Sequence, residues 1–100
     1  MRILLICAAG MSTSLVVEKM KRALGEDEKD FIIKAKAGED FEEVVENYDV
    51  ILLGPQIRFR KKELEKKTDK PIGIIDTMDY GLCRGDKILQ QAKELFNSSI

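Results

Sequence analysis

The sequence predicts an α/β protein in which helices cover both faces of a four-stranded parallel sheet. Short, continuous, β-branched apolar runs recur along the chain, and segments with helical periodicity separate them. Continuous apolar runs, unlike alternating ones, suit strands that are buried on both faces. Of the 100 residues, 44% are apolar and 35% charged, which is enough for one modest core. We therefore expect a single domain over residues 1–100.

The strands and helices alternate in a regular order. The apolar runs predict strands at residues 3–7, 31–33, 50–53 and 72–75. Apolar stripes at helical spacing predict helices at residues 15–24, 40–47, 57–67 and 87–96. In the third helix, we expect Ile57, Leu64 and Phe59 to face inward. Right-handed crossovers with helices on both faces make 2-1-3-4 the natural strand order of this three-layer, doubly wound sheet.

Charge and composition exclude several functions. The 17 Lys and Arg residues nearly balance the 18 Asp and Glu residues, so nothing in the net charge of -1 favours nucleic acid or an anionic membrane. The chain has no histidine, which removes Ser-His and Cys-His nucleophile pairs and histidine metal ligands. We expect no metal and no cofactor, and chemistry that uses thiol, hydroxyl, carboxylate, amine or backbone groups.

The cellular compartment follows from the cysteines and the first residues. Cys7 and Cys83 match neither zinc-site nor CxxC spacing, and we expect thiols rather than a disulfide. The apolar run that begins at Met1 ends at Gly10, too early for a signal peptide. No stretch approaches the roughly 20 apolar residues of a membrane span. A cytoplasmic monomer is the expectation.

The loop after the first strand has the features of an anion-binding nucleophile site. Cys7 ends that strand, Gly10 permits a tight turn, and hydroxyl residues precede the first helix. Backbone amides and the helix dipole there can bind an oxyanion, and the same field favours a thiolate. We assign Cys7 as nucleophile, and as phosphate-binding residues we assign Ala9, Gly10, Met11, Ser12, Thr13 and Ser14.

Each of these residues also has a purely structural interpretation. A cysteine at the end of a buried strand is often a small apolar residue, and hydroxyl residues before a helix often cap it. The coincidence of thiol, glycine turn and helix start at the predicted binding edge favours the functional interpretation.

The loop favours a phosphoryl carrier over a hydrolase. Cysteine phosphatases use the pattern C-x5-R, in which arginine grips the transferring group. Thr13 occupies the arginine position here, and the loop contains no arginine. Two other classes remain open: a low-molecular-weight phosphatase or arsenate-reductase-like enzyme, and a regulatory anion-binding module.

The sequence resembles the IIB component of the bacterial sugar phosphotransferase system, lactose/cellobiose (chitobiose) class. The resemblance covers nearly the whole chain and rests on CAAGMSTSLVV at residues 7–17, DVILLGPQI at 49–57 and IDTMDYG at 75–81. It implies a fold like that of low-molecular-weight tyrosine phosphatases. It also implies that Cys7 takes phosphate from a phosphohistidine of a IIA protein. The phosphate would pass to a cellobiose-like or chitobiose-like disaccharide carried by a membrane IIC protein.

Three residues outside the loop are candidates for the rim of this site. They are Gln56 after the third strand, and Asp79 and Tyr80 after the fourth. Phosphatases of this fold place a general acid after the fourth strand, but a carboxylate beside a phosphate would repel it. We therefore expect Asp76 and Asp79 to act as a structural cap of the next helix.

Two surface features could serve docking. Residues 58–62 are locally basic and are either a solvated helix face or a border of the site that steers an anionic donor. Met11 and Leu15 are expected to add an exposed apolar patch.

Overall fold

A computed structural model describes residues 1–7 and 14–98, which form a four-stranded parallel sheet with helices on both faces. The strands are β1 (Arg2–Cys7), β2 (Ile32–Ala37), β3 (Val50–Leu53) and β4 (Ile72–Ile74). They lie in the order β2-β1-β3-β4, and every neighbouring pair is parallel. The predicted fold class and strand order are confirmed.

The described helices are α1 (Ser14–Arg22), α2 (Phe41–Val44), α3 (Lys61–Glu65), α4 (Thr77–Gly81) and α5 (Gly85–Ser98). Shorter 3-10 turns occur at Glu26–Glu28, Gly38–Asp40 and Val45–Asn47, and a longer 3-10 segment spans Pro55–Arg60. The structure thus retains the predicted alternation of strand and helix but divides the second and third predicted helices into shorter pieces.

The central strand β1 separates two apolar clusters because successive side chains of a strand point to opposite faces. Ile3, Leu5 and Cys7 face one cluster, to which α1 and α5 contribute. Leu4 and Ile6 face the other, to which the segments around α2 and α3 contribute. All five side chains are 5% exposed or less. Because β1 is buried on both faces, its residues have to be apolar without alternation, as the sequence shows.

The third predicted helix differs most from expectation. Pro55 begins a 3-10 segment, and the backbone kinks at Ile57 (φ -119°, ψ 23°) before α3 starts. The prediction that Phe59 faces inward is wrong, because its side chain is 78% exposed whereas Ile57 and Leu64 are buried. Two helical steps rotate a side chain by roughly 200°, so Phe59 points away from the sheet when Ile57 faces it.

Two further elements depart from the predicted boundaries. Strand β2 runs on to Ala37 because it pairs along the full length of β1. Its Lys34 and Lys36 are exposed, as suits an edge strand. Helix α4 was not predicted as a separate element, and a single turn of helix carries too little periodicity to be recognised in a sequence.

No helix in the described ranges is both long enough and apolar enough to cross a lipid bilayer.

Candidate functional site

Cys7 lies where the sequence places it, at the carboxyl end of the central strand. Its side chain is 5% exposed and belongs to the cluster that α1 and α5 cover. On one side its backbone is paired with Ala37 of β2. Cys7 and Cys83 are not linked by a disulfide. The thiol therefore lies at the carboxyl edge of the sheet, on the strand between β2 and β3.

The five loop residues assigned to phosphate binding lie outside the described residues. They are Ala9, Gly10, Met11, Ser12 and Thr13. Ser14, the sixth, is the first residue of α1 and is exposed. Leu15 follows it and is 51% exposed, in agreement with the expected apolar patch, whose other member is Met11.

The segment after β3 approaches Cys7 closely at Gly54. The Gly54 N–H donates to the carbonyl of Ile6 at 2.9 Å. A β-carbon added to Gly54 would lie 3.6 Å from that carbonyl oxygen and 3.9 Å from the Cys7 α-carbon. The Oε1 atom of Gln56 lies 3.2 Å from the same position. The predicted rim residue Gln56 thus folds back over Gly54, toward the end of β1.

Tyr80 places a buried hydroxyl in the apolar cluster that contains Cys7. The residue is 8% exposed and belongs to the same apolar cluster as Cys7. Its hydroxyl is buried and has no nitrogen or oxygen partner among residues 1–7 and 14–98. The thiol of Cys7 lies near enough to this hydroxyl to affect its pKa. Burial, and next the negative charge and hydrogen bond of Cys7, raise the pKa of Tyr80 above its usual value. Tyr80 is therefore a protonated donor at neutral pH.

The two aspartates after β4 have structural partners. The Asp76 carboxylate caps α4, because its Oδ2 accepts hydrogen bonds from the backbone N–H of Met78 at 3.0 Å and of Asp79 at 3.2 Å. The Asp79 carboxylate forms an ion pair with Arg84 at 3.5 Å. The expected capping role of Asp76 is confirmed, whereas Asp79 joins the start of α5 to α4 through its ion pair.

Cys83 lies in the turn between α4 and α5. Its backbone is left-handed (φ 52°), which is uncommon for a residue with a β-carbon. The half-buried side chain packs against the cluster that contains Cys7. A packing role accounts for this position.

Tyr80 was predicted as a rim residue, and the structure places it in the apolar cluster that contains Cys7. Sequence reasoning missed Arg60, whose guanidinium lies so close to Gly38 that a β-carbon there would collide with Nη1. Because Gly38 directly follows Ala37, this guanidinium lies one residue beyond the position paired with Cys7. Only the register of β1 and β2 indicates this proximity.

Other parts of the described chain offer no competing centre. A cavity of about 370 Å³ lies at the opposite edge of the sheet and is lined by residues such as Asp49, Lys70 and Pro71. Within residues 1–7 and 14–98, no three Cys, Asp or Glu side chains are grouped as metal ligands. The carboxyl edge around Cys7 is the candidate site.

The chain is similar in sequence to proteins of one known family. Residues 2–91 match the family model of the lactose/cellobiose-specific IIB subunit of the phosphotransferase system. The chain is 46% identical to the galactose-specific EIIB component of Lactococcus lactis subsp. cremoris, with 95% of each chain covered. It is 45% identical, at the same coverage, to the cellobiose-specific EIIB component of Lactococcus lactis subsp. lactis.

A solved structure from this family is similar to the chain in both fold and sequence. The solution structure of the cellobiose-specific IIB component from Borrelia burgdorferi superimposes with a TM-score of 0.81 at 45% identity. The match covers 99% of this chain and 94% of that one. Sequence and fold therefore point to the same group of proteins.

Proposed function

The chain belongs to the lactose/cellobiose-specific IIB family of the bacterial phosphotransferase system, and we propose that Cys7 carries its phosphoryl group. IIB components act as phosphotransferases in sugar transport, together with IIA and IIC proteins. In our proposal, a phosphohistidine of the IIA protein phosphorylates Cys7 in the cytoplasm. The IIC protein then presents a disaccharide that receives the group.

The two transfers balance as substitutions at phosphorus. In the first, the Cys7 thiolate attacks in line, the S–P bond forms and the N–P bond to the donor imidazole breaks. The released imidazole nitrogen takes up a proton. In the second, a sugar hydroxyl attacks, the O–P bond forms, the S–P bond breaks and the hydroxyl proton is lost to a base on the acceptor side. The thiolate is regenerated for the next cycle.

The observation that carries this proposal is the buried hydroxyl of Tyr80 beside Cys7. A buried donor without an oxygen or nitrogen acceptor is costly. A phosphoryl oxygen on Cys7 would supply that acceptor. The assigned loop residues 9–14 and the Gln56 amide would complete the phosphate site in this proposal.

The aspartates support a carrier over a hydrolase. Hydrolysis of a phosphocysteine needs a group that activates water, and leaving-group protonation needs a free carboxyl nearby. Asp76 caps α4 and Asp79 pairs with Arg84. With both carboxylates held by structural partners, the phosphocysteine is expected to survive until the acceptor arrives.

The sugar is proposed only as a class. The relatives carry names that specify galactose in one case and cellobiose in another. We propose a β-linked disaccharide such as cellobiose, chosen chiefly by the IIC protein rather than by this chain.

A labelling experiment tests the proposal. The protein is incubated with the general phosphotransferase proteins, a IIA component and labelled phosphoenolpyruvate. We expect stable label on the wild type and none on the Cys7→Ser variant, since a serine hydroxyl is a much weaker nucleophile than a thiolate.

Cys83→Ser is the matched control, because it removes the other thiol while leaving Cys7 in place. It is expected to accept label like the wild type. Rapid release of inorganic phosphate by this protein alone, or label that persists on Cys7→Ser, would contradict the proposal.

A further inference from the structure

The large exposed apolar side chains lie in the segments that come after β1, β3 and β4 in the chain. Four such residues are exposed in the described ranges. They are Leu15, Phe59, Met78 and Leu82. Exposed apolar surface around a reactive group is typical of a face that binds another protein.

Phe59 is the most exposed of the four, at 78%, and it stands among cations. Arg58 precedes it and Lys62 follows three positions later. Residues three and four apart share one side of a helical segment, so these three side chains form one surface, the basic aromatic surface. Neither Arg58 nor Lys62 has an ion-pair partner in residues 1–7 and 14–98. Their charges are available to a binding partner.

The chain holds this surface in a fixed place relative to Cys7. At one end, Gly54 is hydrogen-bonded to the carbonyl of Ile6, the residue before Cys7. In the middle, Ile57 is buried against the sheet. At the other end, Arg60 lies against Gly38 while its Nε donates to Glu63 at 2.9 Å. A docking contact on a rigid segment loses little conformational entropy on binding.

We propose that the basic aromatic surface (Arg58, Phe59, Lys62) docks the phosphorylated donor protein and thereby selects it over the unphosphorylated form. This inference rests on the proposed function. The aromatic ring of Phe59 supplies the apolar anchor, and the two cations meet negative charge on the donor. Aromatic and arginine side chains are the residue types that most often dominate binding energy.

The location of the phosphoryl charge before and after transfer favours the donor protein, rather than the sugar-side partner, as the protein that binds this surface. Before transfer, the phosphoryl charge of about -1.5 to -2 lies on the donor and attracts these cations. After transfer, the charge lies on Cys7 of this chain and the donor no longer carries it. The attraction to the spent donor is then lost, which promotes its release. The acceptor sugar brings no such charge to the surface.

Steady-state transfer from the phosphorylated donor tests the proposal. We expect Phe59→Ala to lower kcat/KM about tenfold through a higher KM, with kcat unchanged. The double variant Arg58→Gln/Lys62→Gln should lose about five- to tenfold at low salt. Its rate should converge with that of the wild type as salt screens the charges.

Lys66→Gln is the matched control, because Lys66 is an exposed lysine at the other end of α3. It removes one charge and should keep kcat/KM within about twofold, since a single distant surface charge contributes little. Phe59→Tyr should restore most of the Phe59→Ala loss. Unfolding temperatures equal to the wild type would show that exposed Phe59 affects docking rather than stability.

Two outcomes overturn this inference while leaving phosphorylation of Cys7 intact. In one, the Phe59 and Arg58/Lys62 variants accept phosphate as fast as Lys66→Gln. In the other, they accept it normally but pass it slowly to sugar, which would assign the surface to the membrane partner. Absence of label on the wild type would instead contradict the proposed function itself.

Discussion

At the scale of single residues, the environment of Tyr80 sets the chemistry that Cys7 can support. The buried phenol stays protonated and faces a thiol, which is a weak hydrogen-bond partner. Among residues 1–7 and 14–98, no oxygen or nitrogen atom accepts from this hydroxyl. A phosphoryl oxygen on Cys7 would accept a hydrogen bond from the buried Tyr80 hydroxyl.

Tyr80→Phe should therefore affect the two states of the protein differently. Removing a buried, poorly satisfied hydroxyl leaves the stability of the unphosphorylated protein unchanged or slightly higher. The phosphocysteine, in contrast, should lose its label faster than in the wild type. Urea unfolding and the decay of label measure the two effects, and equal label lifetimes would contradict the role of Tyr80.

The pKa of Tyr80 predicts how stability changes in alkali. Burial holds its folded pKa above the unfolded value of about 10. Above the unfolded pKa, the unfolded chain loses the proton more readily than the folded protein does. The free energy of unfolding should thus be unaffected by this group below about pH 10 and should fall as the pH rises further. Tyr80→Phe should reduce that fall.

At the scale of elements, the contact between α1 and α5 positions both ends of the site. Gly85 begins α5 and lies directly on α1, so that a β-carbon there would overlap the backbone of Lys19 and Met20. Because α5 follows α4, this contact ties α1 to the segment that follows the helix of Tyr80. Backbone atoms cannot move aside as a flexible side chain can.

Gly85→Ala should consequently separate the two helices and destabilise the protein by about 3 kcal/mol or more. Gly81→Ala is the control, because a β-carbon at Gly81 meets nothing within 4 Å. That change should be neutral or stabilising by up to about 1 kcal/mol. Urea unfolding of both variants checks the contrast, and comparable stabilities would show that α1 and α5 pack less tightly than described.

At the scale of the whole molecule, the parallel sheet gathers the reactive groups at one edge. Cys7, Gly54 and Tyr80 come from different thirds of the chain, yet all lie at or beyond the carboxyl ends of strands. The amino edge is held separately, for example by the hydrogen bond from Arg2 N to Asp49 at 2.8 Å. A net charge of -1 does not reveal the local basic cluster at residues 58–62, which follows β3 in the chain.

Phosphorylation should therefore produce a local response. We expect amide chemical shifts to change around Cys7, Gly54 and Tyr80, because the new charge lies there and no domain has to move. Shifts at the amino edge, such as those of Asp49 and Ile72, should stay constant. Heteronuclear NMR of the protein before and after phosphorylation measures this, and changes spread through the whole sheet would contradict it.

The sequence predicts the framework of this protein because the framework depends on local patterns. Continuous apolar runs identify the strands, and their alternation with helices predicts the parallel order 2-1-3-4. Both predictions follow from the burial of each strand on two faces. The same patterns place Cys7 at the carboxyl end of β1, where the site lies.

The tertiary structure decided the contacts around that framework, because they depend on register and helical phase between distant segments. Tyr80 was predicted at the rim, but its burial in one cluster with Cys7 depends on the packing of α4. The ion pair of Asp79 with Arg84 was not predicted. Phe59 faces solvent because the segment turns Ile57 toward the sheet. A local sequence pattern predicts whether a side chain can be buried. The orientation of its helix in the folded protein determines which residues that side chain contacts.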